Sequence, residues 1–239
     1  MNPIIALRDL RKSFGRLEVL KGVDMDVMPG RVTAVVGHNG SGKTTLIKSI
    51  LGLVKPDAGT IRFGQEELNG DSEYRRRIGY MAQSAHFPDN LTALDLFAML
   101  EDLRGNAGAR KETLIKSFGL FPELEKPVRT LSGGNRQKVS AVMAFMFEPE
   151  VLILDEPTAG LDPVSSSVLK DLVHADRARG RSFILTSHIM SEIEELADHV
   201  VFLQDGRVRF DGPIDDVRTG TGEQNLERAI AQLMMEVEA

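Results

Sequence analysis

The sequence predicts an α/β protein with a mixed sheet core and an inserted helical subdomain. Three observations carry that prediction. Short, mostly apolar runs at 32–36, 151–154, 182–186 and 200–203 alternate with helical stretches, the pattern of strands buried in a parallel sheet. A glycine-rich segment follows the first of these runs and opens a helix. Between Thr92 and Phe147 the apolar period turns from strand-like to helical. With 239 residues, 42% apolar and 27% charged, the chain is large enough to bury such a core. The expected layout is a core from 1–83 and 151–220, a helical subdomain at 84–150 and a C-terminal helix at 221–239.

Ile4–Leu10, Val23–Val27, Val32–Val36 and Thr60–Phe63 read as strands. Val32–Val36 runs straight into Gly37-His38-Asn39-Gly40-Ser41-Gly42-Lys43-Thr44-Thr45 and then into the apolar stretch Leu46–Leu51. That is a phosphate-binding loop in its strand–loop–helix setting. Its glycines let successive N–H groups point inward at a helix N-terminus, where the dipole also favours an anion. Lys43 is placed to reach the β- and γ-phosphates, and the Thr44 hydroxyl to ligate Mg²⁺. A nucleoside triphosphate is the expected ligand.

In the middle of the chain Leu91, Leu94, Phe97, Ala98 and Leu103 recur at helical spacing, as do Leu114, Ile115 and Phe118. Leu131-Ser132-Gly133-Gly134-Asn135-Arg136-Gln137 opens a further helix. Its serine hydroxyl and free N–H groups form a second anion cradle. One triphosphate does not need two cradles in one chain. Val151–Leu154 then ends in Asp155, a carboxylate suited to Mg²⁺, and Glu156 follows, suited to polarise a water for attack on the γ-phosphorus. Ser182–Thr186 and Val200–Leu203 are further strands, Gln204-Asp205-Gly206-Arg207 is a hairpin turn, and Glu223–Val237 is an amphipathic helix with Leu226, Ile230 and Leu233 on one side.

These motifs, in this order, resemble the ATP-binding-cassette (ABC) family. Leu131–Gln137 is similar to its signature sequence, Gln83 after Ile78-Gly79-Tyr80 to its glutamine loop, Ala159-Gly160-Leu161-Asp162 to its aspartate loop, and His188 in Thr186-Ser187-His188 to its switch histidine. Phe14 resembles the aromatic that stacks on adenine. Taken singly, Phe14 would read as a core or half-exposed aromatic, Gln83 as a loop amide and His188 as a strand-end histidine. Their order relative to Lys43, Ser132 and Asp155 favours the functional reading.

The resemblance implies a P-loop NTPase fold of ABC type and a Mg²⁺-dependent ATPase. Its catalytic set would be Glu156, His188 and Gln83. ATP would be held by Phe14, by Gly37 through Thr45, and by Ser132, Gly133, Gly134 and Asp162; Mg²⁺ would be held by Thr44, Gln83 and Asp155. It further implies a homodimer in which Lys43 of one subunit and Ser132 of the other grip one ATP, and a membrane-spanning permease that contacts the cargo. Two positions depart from the family pattern: Asn135 stands where glutamine is usual, and Met143 where arginine is common. The stretch Thr186–Asp198 resembles ATPases of export-type systems. Gly37–Gly40 and Phe87-Pro88-Asp89-Asn90-Leu91 resemble the branch that serves maturation of the copper centres of nitrous oxide reductase. Docking on the permease is expected at Thr92–Leu103 and the loop after Gln83, through Phe87, Leu91, Leu94 and Phe97.

A net charge of −6 gives no global basic field, so nucleic acid is not an expected partner. The absence of cysteine excludes disulfides and thiolate metal sites and fits a reducing compartment. No apolar run of about 18 residues is present, and Met1–Asp9 lacks the shape of a signal peptide. The expected location is cytoplasmic, peripheral on the inner face of the plasma membrane through the permease. The alternatives are non-transport ABC ATPases. A chromosome-maintenance or repair ATPase would carry a long heptad run between the two cradles, but only 89 positions separate Lys43 from Ser132 and none is heptad-patterned. A ribosome-associated member would carry two cassettes and a basic linker, both absent.

Overall fold

Alternating burial and paired charges build the first two strands. In the computed structural model, which describes residues 2–68, 70 and 72–235 (side chains as far as 232), β1 (Ile5–Phe14) pairs antiparallel with β2 (Leu17–Val27). Ile5, Leu7 and Leu10 face Val23, Met25 and Val27 in the core. Both strands outrun the predicted Ile4–Leu10 and Val23–Val27: past Leu10 β1 continues through polar Arg11-Lys12-Ser13, and the facing part of β2 buries only Leu20. Cross-strand and local charge pairs such as Arg11–Asp9 line that stretch. β3 (Val32–Val36) is buried at every position and leads into α1 (Lys43–Ile50). β4 (Ala58–Phe63) adds antiparallel to β1, and the short β5 (Glu66–Glu67) edges the sheet, in the order β2-β1-β4-β5.

Residues 75–181 form a compact unit of their own. In it β6 (Ile78–Met81) runs parallel to β7 (Val151–Asp155). Between them lie α2 (Ala93–Arg104), α3 (Lys111–Ser117) and α4 (Gly133–Phe145), and after them α5 (Pro163–Ala178). A bidentate fork from Arg77 to Glu150, with both contacts at 2.7 Å, ties the start of β6 to the start of β7 and holds the Glu150 carboxyl below its ordinary range. The stripe predicted for α2 is corrected. The helix buries Ala93, Leu96 and Phe97, whereas Leu94, Ala98 and Leu103 are exposed and Leu91 precedes the helix. The cause is at the N-terminus: Thr92 caps the helix and exchanges hydrogen bonds with Asp95, and that register turns the 93/96/97 face inward. The expectation for Leu114, Ile115 and Phe118 holds, all three being buried.

The rest of the chain joins residues 1–74 in a second compact unit. β8 (Ser182–Thr186) has the predicted bounds, as β3 does, and both are fully buried, which is why their apolar runs were legible. After α6 (Met190–Leu196) come β9 (His199–Gln204) and β10 (Arg207–Pro213). β3 lies parallel between β8 and β9, and β10 closes antiparallel on β9, making the sheet mixed. The turn Asp205–Gly206 has both residues at positive φ, the type I′ form of a tight hairpin. Two helices, not one, end the unit: α7 (Ile214–Thr221) and α8 (Leu226–Met235). α7 buries only Val217, so it carried no periodic signal. α8 starts three residues after the predicted Glu223, with the Asn225 side chain accepting from the Arg228 N–H. Leu226 and Ile230 are buried as predicted; the Leu233 side chain and residues 236–237 lie outside the described residues.

Candidate functional site

The phosphate loop is shaped by its neighbours in the unit of 1–74 and 182–239. A Cβ on Gly37 would stand 2.1 Å from the Leu203 carbonyl oxygen and 2.7 Å from Ser41 Oγ, so only glycine fits. The Gly206 N–H donates to the Ser41 carbonyl at 3.1 Å, fixing the loop against the β9–β10 turn. Gly42 is the N-cap of α1 and supplies no side-chain cap, so no side chain competes with an anion for the first N–H groups of the helix. Lys43 Nζ folds back over the loop, donating to the Gly37 carbonyl at 2.6 Å and the His38 carbonyl at 3.1 Å. Ser41 Oγ is buried with no hydrogen-bond partner among the described residues. An orphaned donor within a cradle of N–H groups fits a phosphate group. The Thr44 side chain is exposed at the same helix start.

His188 joins this loop. A cavity of about 250 Å³ is lined by Gly37, His38 and Asn39 together with Ser187, His188, Met190 and Ile230. Phe14, at the end of β1, does not line it. The residue is 51% exposed, which excludes a core role, and Lys12 Nζ lies over the ring at 5.4 Å from its centroid.

The other unit brings Gln83 and Glu156 together. Gln83 Nε2 donates to Glu156 Oε2 at 2.9 Å. Glu156 has φ 48°, a left-handed conformation that a residue with a Cβ holds at a cost of about 1–3 kcal/mol, the kind of strain that collects at functional sites. Asp155, at the end of β7, is 5% exposed. Burial, with the Asp155 charge second, pushes the Tyr80 phenol up to about 12.

The signature segment is built as a helix cap. Ser132 Oγ accepts from the Asn135 N–H at 3.1 Å and so caps α4, which leaves the hydroxyl proton to donate elsewhere. A Cβ on Gly134 would stand 2.9 Å from the Gly160 carbonyl, so this glycine lets the aspartate loop pack close. Gln83, Phe87, Gly133, Arg136, Ala159 and Gly160 are among the residues lining one cleft of about 330 Å³. Asp162 is exposed but engaged within its own chain. It caps α5 through the Ser165 N–H at 2.9 Å and the Ser165 hydroxyl at 2.8 Å, and it pairs with Lys138 Nζ at 2.9 Å. The Lys138 contact first, and then the two from Ser165, hold its carboxyl well below the usual range. Lys138 and Ser165 were not predicted, although Asp-Pro-x-Ser after a glycine loop is a readable N-cap signal.

The ABC transporter family pattern matches residues 20–159, more than half of the chain. The lantibiotic transport ATP-binding protein SrtF of Streptococcus pyogenes is 32% identical over 225 residues, 94% of each chain. The daunorubicin resistance ATP-binding protein DrrA3 of Streptomyces coeruleorubidus is 35% identical over 93% of this chain and 72% of that one. A solved ATP-binding subunit of an ABC transporter superposes with a TM-score of 0.90 at 32% identity, over 97% of this chain and 99% of that one. Neither relative's name speaks of copper, so the copper-centre reading gains no support here and rests on loop residues alone. The phosphate loop, the signature cap, the Gln83–Glu156 pair and these likenesses agree: the chain belongs to the ABC transporter family, as one of its ATP-binding, ATP-hydrolysing subunits.

Proposed function

We propose that this subunit hydrolyses ATP to ADP and phosphate to power an export-type, membrane-spanning permease, which alone contacts the cargo. The Gln83–Glu156 hydrogen bond is the observation that carries the reading, since it ties the loop amide to the carboxylate suited to act on water. Lys43 and the N–H groups from Gly37 to Thr45 bind the β- and γ-phosphates, and the half-exposed Phe14 ring receives the base. Glu156 accepts a proton from the attacking water, and His188 contacts the γ-phosphate. Mg²⁺ would be held by Thr44, Asp155 and the Gln83 Oε1, the amide atom not spent on Glu156; when bound it neutralises phosphate charge.

A second copy of the chain supplies Ser132 and the N–H groups of Gly133 and Gly134 to the same ATP. Asp162 acts in that interface through the loop it anchors, its own carboxylate being engaged within the chain. A relative named for daunorubicin resistance supports outward transport. Attachment to the inner face of the plasma membrane is through the permease; among the described residues of this chain no helix is long and apolar enough to cross a membrane. The permease docks at the loop after Gln83 and at α2, through half-buried Phe87 and exposed Leu94; Phe97, at 1% exposure, is core. Two variants test the proposal. Lys43→Ala should abolish measurable binding of labelled ATP, and Phe87→Asp should release the protein from permease-containing membranes while leaving ATP binding intact. ATP binding by Lys43→Ala, or membrane retention of Phe87→Asp, contradicts the corresponding half.

A further inference from the structure

α6 begins without a cap of its own. Its N-cap residue is Ile189, whose side chain accepts no hydrogen bond. In a capping box the acidic residue at the third helical position accepts directly from the N-cap N–H. Here that residue is Glu192, but the contact is relayed. The Ile189 N–H donates to Ser187 Oγ at 3.0 Å, and the Ser187 hydroxyl in turn donates to Glu192 Oε2. The relay runs from carboxylate to hydroxyl to amide and closes around the single residue it skips, His188.

The relay is buried, with Ser187 4% and Glu192 2% exposed. Glu192 Oε1 is buried as well and has no partner among the described residues. A buried carboxylate with an orphaned oxygen is destabilising, and an ordinary polar N-cap at position 189 would satisfy the helix without it. The His188 side chain, by contrast, is exposed toward the cavity it shares with Gly37, His38 and Asn39. The arrangement therefore does something that capping alone does not require: it clamps the backbone on both sides of His188 from within the core.

We infer that Glu192 and Ser187 are positioning residues for His188, holding its imidazole at the phosphate loop. The functional consequence rests on the proposed contact of His188 with the γ-phosphate. If the clamp acts through His188, its loss should slow turnover and leave ATP affinity close to wild type, because Lys43 and the loop bind the nucleotide without it. A misplacement of about 1 Å in such a group costs on the order of 10²-fold in rate.

The test uses the full chain with its permease and combines kcat, ATP affinity and the ring signal of His188 in a histidine-detected NMR spectrum. That signal is identified as the one lost in His188→Ala. Ser187→Ala and Glu192→Ala should each lower kcat by about 10²-fold and shift or broaden the ring signal. Ser187→Thr, which keeps the hydroxyl, should restore both. In a His188→Ala background, Ser187→Ala should cost nothing further, the non-additivity expected of a residue acting through another. If the alanine variants do not fold, Glu192→Asp, too short to reach Ser187, should still move the ring signal. Folded variants with an unmoved His188 signal and unchanged kcat overturn the inference. If His188→Ala itself leaves kcat unchanged, the proposed γ-phosphate contact fails, and the ring signal alone decides whether the clamp exists.

Discussion

The side-chain amide of Gln83 donates to the Glu156 carboxylate at 2.9 Å, joining the loop after β6 to the residue after β7. Glu156 meets it from a left-handed backbone, φ 48°. A loop amide would not need such a partner, nor an exposed strand-end acid such a conformation. The pair ties the residue proposed to act on water to the loop that borders the proposed permease-docking surface.

Nucleotide base recognition should be weak and indiscriminate. Lys12 Nζ lies over the half-exposed Phe14 ring, and the proposed stacking of a base on that ring is worth about 1–3 kcal/mol whatever the base. Phe14→Ala should weaken ATP and GTP binding alike, read by competition with a fluorescent nucleotide, with turnover at saturation largely kept. A loss confined to ATP would reveal a hydrogen-bonding base pocket instead.

Tyr80 reports on Asp155. Its folded pKa, pushed up to about 12 by burial and then by Asp155, exceeds the unfolded value of 10.0. The neutral phenol therefore contributes stability that is complete below pH 10.0 and is lost as the pH rises through about 12. The phenolate absorbance of wild type minus that of Tyr80→Phe should show a midpoint near 12, and Asp155→Asn should lower it. A midpoint near 10.0 would mean that neither burial nor Asp155 acts on the phenol.

What the sequence displayed depended on the kind of signal. β3, β8 and the phosphate loop were legible because full burial and backbone geometry each dictate residue type. The polar stretch of β1 ending at Phe14 was not, because backbone pairing holds it without an apolar pattern. The face of α2 was misread since Leu94 and Leu103 mimic a stripe, while the smaller Ala93 shares the true one with Leu96 and Phe97. Gln83, His188 and Asp162 could be nominated only by motif order. That Gln83 contacts Glu156, and that Lys138 pairs with Asp162, are long-range facts that spacing does not carry. The Ser187–Glu192 relay escaped because five positions separate its ends, outside the three of a capping box.

The two anion cradles should act between chains. A Lys43→Ala subunit mixed with a Ser132→Arg subunit gives dimers with both lesions in one site and an intact second site. ATPase activity absent from either variant alone should reappear on mixing, measured with the permease present. Baseline activity despite demonstrated exchange of labelled subunits, with a photoreactive ATP analogue labelling only the Lys43-bearing chain, would confine each site to one chain.

Single-turnover hydrolysis by Glu156→Gln tests the account most directly. The substitution keeps the shape and the hydrogen bond to Gln83 but removes the proton acceptor. With ATP and Mg²⁺ bound beforehand, the rate should fall by about 10²–10⁴-fold while the affinity for ATP is retained. A rate near that of wild type, with the same affinity, would take the general base away from Glu156 and contradict the account.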